Sequence, residues 1–131
     1  MSFEYFPILA AGLAGWIFGA VWYGTWAKPW MKAAGLTMAD AERAGAVPHV
    51  VSMIGAFITA TFCHHMFTIS NVNSLQDGFV TGLGLGGFIA VPYMTNNILY
   101  GLKNKQLIII DGGYAAFSVA VIGLVLNWTR G

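Results

Sequence analysis

Apolar and polar positions along this chain segregate into long blocks and show no short-period alternation. Four apolar runs, approximately Tyr5–Trp26, Pro48–Ser70, Gly78–Tyr100 and Leu107–Trp128, are separated by stretches that carry nearly all the charge. Each run is close to the ~20 residues a helix needs to cross ~30 Å of hydrocarbon. A backbone in lipid must satisfy its own hydrogen bonds, so a chain without barrel-type strands crosses only as helix. The predicted fold class is all-α: an integral membrane four-helix bundle, with residues 1–131 forming one four-span transmembrane domain.

The details of each run refine that expectation. Pro7 and Pro48 fall in first helical turns, where proline costs no hydrogen bond. Pro92 lies inside the third run, where it removes a ladder bond and predicts a kink, with Gly86 and Gly87 one turn earlier giving room. In the first loop, Thr37-Met-Ala-Asp40 has capping-box spacing and predicts a surface helix over Met38–Ala44. In the fourth run, Asp111-Gly112-Gly113 reads as a helix start with Asp111 as N-cap, leaving an irregular stretch before it.

Charge supplies orientation. Lys28, Lys32 and Arg43 lie between runs one and two, and Lys103 and Lys105 between runs three and four, whereas the other side holds only Arg130. The positive-inside rule then places both basic loops in the cytoplasm and both termini outside, N-out/C-out. Met1–Glu4 contains no Lys or Arg, so the first run is expected to be a retained span and not a signal peptide. Only 8% of the residues are charged and the formal net charge is +1, which gives no basic face for nucleic acid. Cys63 is the single cysteine, so an internal disulfide is excluded, and its place in the second run suits a small buried side chain.

Small residues at four-residue spacing mark packing stripes on every span, and include Gly15 and Gly19, then Gly78, Gly82 and Gly86, then Ala116. Such stripes let helices approach closely in lipid, where association rests on packing and hydrogen bonds. Gly84 and Gly87 add a further small face to span three, consistent with a homo-oligomer or a place in a larger membrane complex. Sliding Gly12–Thr25 onto Gly82–Thr95 aligns Gly12/Gly82, Phe18/Phe88, Tyr23/Tyr93 and Thr25/Thr95 among others. That match raises a tandem two-helix repeat, although biased composition also produces such matches.

Polar groups at membrane depth are costly and therefore functional candidates. Tyr23, His49, Asn96, Asn97, Asp111 and Tyr114 all fall near the cytoplasmic ends of the spans. They form a candidate pocket for a small solute or ion, with Asp111 as the acid and His49 as its natural partner. The competing structural reading has Asp111 capping a helix, the asparagines satisfying carbonyls freed by Pro92, and His49 sitting among headgroups. His64 and His65 point about 100° apart as helical neighbours and make a poor metal pair. Haem ligation by His49 and His64 would require a second copy, since one span holds every histidine. No nucleophile with its base, paired catalytic carboxylates or phosphate loop is present, so no catalytic residue, cofactor or metal is expected. The run Gly82-Leu-Gly-Leu-Gly-Gly87 follows no strand and is not a nucleotide fingerprint.

Several landmarks occur together: Gly19-Ala-Val-Trp22-Tyr23, Trp30-Met31, Gly35-Leu36, Asn96-Asn97 and Asp111-Gly-Gly-Tyr114. Their order and spacing resemble the bacterial membrane family catalogued as domain of unknown function 1761, over most of the chain. The resemblance implies a small four-span inner-membrane protein and supplies no substrate, cofactor or catalytic residue. The chain departs from that pattern in carrying Asp111 where an asparagine-like residue is commoner. The expected role is a non-enzymatic membrane protein that binds or passes a small solute or ion through the inner polar cluster. The alternative is a structural accessory subunit of a larger membrane complex.

Overall fold

The computed structural model describes residues 5–130. Residues 1–4, on which the signal-peptide argument rests, lie outside the described residues. The helices in order are α1 (Tyr5–Thr25), α2 (Ala27–Ala34), α3 (Met38–Ala44), α4 (Val47–Ser70), α5 (Leu75–Leu85), α6 (Val91–Tyr100) and α7 (Gln106–Thr129). A π-helical turn, Gly86–Ala90, joins α5 to α6 without a break, so that Leu75–Tyr100 is one rod. α1, α4, this rod and α7 are the four helices long and apolar enough to cross a membrane. The chain is a multi-pass, all-helical membrane protein.

Local chemistry accounts for the ends of the short helices. Thr37 Oγ1 accepts from the Asp40 N–H at 3.3 Å while Asp40 Oδ2 accepts from the Thr37 N–H at 2.9 Å, a reciprocal capping box that starts α3. α2 ends at Gly35, whose φ of 72° suits a residue without Cβ. At Pro92 the missing donor and the crowding of a carbonyl one turn back meet a widened turn: the Val91 N–H reaches Gly86 O, five residues earlier.

Asp111 is not an N-cap. α7 begins at Gln106, whose N–H is accepted by Asn104 Oδ1 at 2.9 Å, and runs through Asp111-Gly112-Gly113 without interruption. Its 24 residues give ~36 Å, enough to span with no irregular inner stretch. The two glycines, which favour helix ends by backbone propensity, serve packing here. A Cβ on Gly113 would lie 2.6 Å from the Trp22 ring.

α7 is the shared partner of the other spans: α1, α4 and the Leu75–Tyr100 rod all pack on it. Contact with the rod is backbone to backbone. A Cβ on Gly78, Gly82 or Gly86 would strike the main chain at Gly123, Val119 and Ala115 in turn, and Gly86 also abuts Ala116. α1 meets α7 through Gly15 against Ile122 and Gly19 against Tyr114, and meets α4 through Gly12 against Phe57. Near the end away from the lysines, Ala11, Ala60, Cys63, Phe67, Ile122 and Leu126 form the buried core. α4 and the rod make almost no contact with each other, so one side of α7 faces a gap between them.

Candidate functional site

The lysine-bearing end is where polar side chains from separate elements meet. The last turn of α1 presents Trp22 and Tyr23. The chain then turns at Trp26 into α2, which brings Trp30 over the start of α7. Asp111, in the second turn of α7, receives both. Tyr23 donates its hydroxyl to Asp111 Oδ1 at 2.5 Å, and Trp30 donates Nε1–H to the same oxygen at 3.0 Å. Trp22 donates its indole N–H to Ile110 O at 2.9 Å. The rings support one another: Tyr23 lies edge-on to Trp30 at 6.0 Å and tilted against Tyr114 at 5.1 Å. The short hydroxyl–carboxylate bond belongs to the strong, charge-assisted class.

Asp111 is only half-buried, because it also lines an open cleft of about 570 Å³. The walls come from α2 and its glycine cap, from α6, and from the α6–α7 loop; the polar members are Trp30, Lys32, Asn97, Lys103, Asn104 and Asp111. Both lysine-bearing loops therefore converge on one concavity. Among the described residues the one salt bridge joins Arg43 to Asp40, so Lys32 and Lys103 have no carboxylate within ion-pair distance. A second cavity of about 270 Å³ lies deeper, in the gap between α4 and the rod, lined by Gly15, Ser52, Thr59, Ala90, Tyr114 and Ser118.

The residues expected to converge do so unevenly. Tyr23 and Asp111 are bonded directly, and Asn97 shares the cleft with Asp111. Tyr114 touches Tyr23 but opens on the deeper cavity. Asn96 is exposed and does not line the cleft. His49 stands apart and does not partner Asp111. Its side chain is exposed at the start of α4, where its carbonyl accepts from Trp16 Nε1 at 3.2 Å. Trp16 precedes Tyr23 by two helical turns, ~10 Å along α1, so α4 begins below the level of the cleft.

Sequence reasoning missed Trp30, Lys32, Lys103 and Asn104. Trp30 reads naturally as part of an interfacial aromatic belt, yet a buried or half-buried indole N–H needs an acceptor, and Asp111 is the acid at that depth. The lysines read as topology signals, and nothing in their spacing says that two loops share a wall. Among the described residues no group of three His, Cys, Asp or Glu side chains is placed to hold a metal ion.

A family model described as a protein of unknown function, DUF1761, matches residues 6–127. No curated protein and no solved structure matches the chain.

Proposed function

The chain belongs to that family, and from this premise we propose that it is a non-enzymatic membrane protein binding a small polar solute or ion in the cleft at its lysine-bearing end. One observation carries the reading: Asp111 takes two hydrogen bonds on one carboxyl oxygen while bordering an open cleft, which leaves Oδ2 as the atom assigned to a ligand. A carboxylate already fixed by Tyr23 and Trp30 is positioned before any ligand arrives, which lowers the ordering cost of binding. The lysine asymmetry supports a cytoplasm-facing cleft. The gap beside α4 and the open glycines Gly55 and Gly84, where an added Cβ would meet almost nothing, support a homo-oligomer. Those same glycines favour the second reading, an accessory subunit docked in a larger complex. A small homo-oligomer on a native gel after mild solubilisation supports the first reading, and co-migration with a large complex the second.

Asp111→Asn is the discriminating variant. Asparagine keeps an oxygen for Tyr23 and Trp30 but replaces the second carboxyl acceptor with a donor. In a thermal-shift panel of anions, cations, zwitterions and polyols, at least one compound is expected to stabilise the parent chain and not the variant. Binding at a hundred times Kd is worth about 2.7 kcal/mol, which such a panel resolves. A panel in which every compound treats both proteins alike overturns the reading.

A further inference from the structure

We infer that the ligand class of this cleft is a phosphodiester whose alcohol carries a hydroxyl or ammonium donor, supplied either as a phospholipid headgroup or as a free phosphodiester. The inference rests on the solute-binding reading and adds the chemistry of the solute. The cleft brings two cations, Lys32 from α2 and Lys103 from the α6–α7 loop, to one acid, Asp111. Neither lysine is within ion-pair distance of a carboxylate among the described residues. An anion is what two uncompensated ammonium groups on different walls recruit, and lysine serves phosphate as a point charge. A tetrahedral phosphodiester offers acceptor oxygens to both sides at once, and the Asn97 and Asn104 amides add donors in the same space.

Asp111 then refines the choice. It is an acceptor in a cleft otherwise suited to anions, so the ligand must bring a donor some distance from its negative charge. A bare phosphate or a simple carboxylate would meet Asp111 with repulsion; a phosphodiester with a terminal hydroxyl or ammonium places a donor there. The volume of about 570 Å³ lies within the range of small-molecule sites and accepts a headgroup-sized ligand. Trp26 and Trp30, with Lys28 and Lys32 between and beside them, place the opening at headgroup depth.

The test uses the full chain in phosphatidylcholine nanodiscs, since choline offers no O–H or N–H donor. Doped phosphatidylglycerol is followed by native mass spectrometry, and soluble glycerophosphoglycerol by calorimetry. Selective retention of phosphatidylglycerol over phosphatidylcholine is expected. It should weaken about tenfold on Lys32→Ala or Lys103→Ala and more in the double variant, as loss of charge-assisted hydrogen bonds at exposed sites implies. The paired control Lys28→Ala/Lys105→Ala removes the same charge outside the cleft and should leave retention unchanged. Retention of the lipid without binding of the soluble diester identifies a headgroup site; binding of both identifies a phosphodiester site indifferent to the acyl chains. Equal loss in cleft and control variants means non-specific attraction and overturns the inference. If neither probe binds while another compound stabilises the protein through Asp111, the ligand class falls and the solute reading survives. If no compound binds, both fall.

Discussion

Helices α4 and α7 each run 24 residues and each is apolar enough to cross a bilayer, but they hold opposite places in the molecule. α4 buries Ala56, Ala60, Cys63 and Phe67, a single stripe at alternating four- and three-residue steps, and leaves the rest of its surface outward. α7 buries residues around most of its circumference, from Leu107 and Gly112 through Ser118 and Ile122 to Asn127, and leaves Ile109, Phe117 and Trp128 outward. In its most apolar stretch 39% of residues are buried, against 22% in α4. Lipid tails solvate leucine as well as protein does, so hydrophobicity does not choose the central helix. Backbone access does. Gly123 and the small residues Ala115, Ala116 and Ala120 let the Leu75–Tyr100 rod lie against the main chain of α7, and Gly15 and Gly19 of α1 close on its other flank. α4 offers Gly55 to open space instead.

The strongest way to break this contrast is Gly82→Leu. Its side chain would have to enter the Val119 backbone, so the rod must leave α7, and overpacking of this kind costs about 3 kcal/mol or more. Unfolding in mixed micelles, followed by tryptophan fluorescence, should show that loss; an unchanged midpoint would remove α7 from the centre. Next comes Asp111→Ala, which strips the acceptor from Tyr23 and Trp30 and should cost about 2 kcal/mol, whereas Asp111→Asn, which keeps an oxygen and loses the charge, should cost about 1. The matching change near the start of α4, His49→Ala, should be neutral in the same assay, because that side chain is exposed.

Smaller effects sharpen the periphery. Thr37→Ala removes the capping box and should loosen α3 by about 1 kcal/mol, read as faster amide exchange confined to Met38–Ala44. Asp40 has its pKa lowered from 3.8, first by the Thr37 backbone N–H, then by the Thr37 hydroxyl, with Arg43 adding to both. A depressed folded value means the cap contributes in full above about pH 3.8 and is lost as pH falls through that lower value. Protection of the α3 amides, measured against their intrinsic exchange rate, should therefore fall only in acid, with α7 unaffected. Least of all, Gly55→Ala should change stability by no more than about 0.5 kcal/mol, since nothing lies within 4 Å of the new methyl. A large loss there would reveal a partner against α4.

Much of this was legible in the residues, and the gaps have physical causes. Four spans follow from block length and lipid chemistry, and the α3 cap follows from Thr37 and Asp40 alone, because both are governed by local or bulk rules. Asp111 misled for the same reason: Asp-Gly-Gly is a helix start by propensity, and only the Trp22 ring packed on Gly113 explains glycine mid-helix. Depth along its own span puts His49 level with Asp111, but says nothing of how far α4 slides against α1. The cleft depends on α2 folding back, a tertiary fact that no local pattern encodes.

The wide turn at Gly86–Ala90 has a consequence for how the rod can vary. Residues four apart drift about 40° per step around an α-helix, so a line begun at Gly78, Gly82 and Gly86 would spiral away from α7 within a few turns. One slower turn resets the phase. Ala90 still borders the deeper cavity, Met94 the cleft, and Ile98 remains buried. Deleting one residue between Gly86 and Ala90 should therefore leave both halves helical while swinging Asn97 roughly a quarter-turn off the cleft. The bulge acts as a gear that keeps the glycine seam and the ligand wall on one side of the same rod.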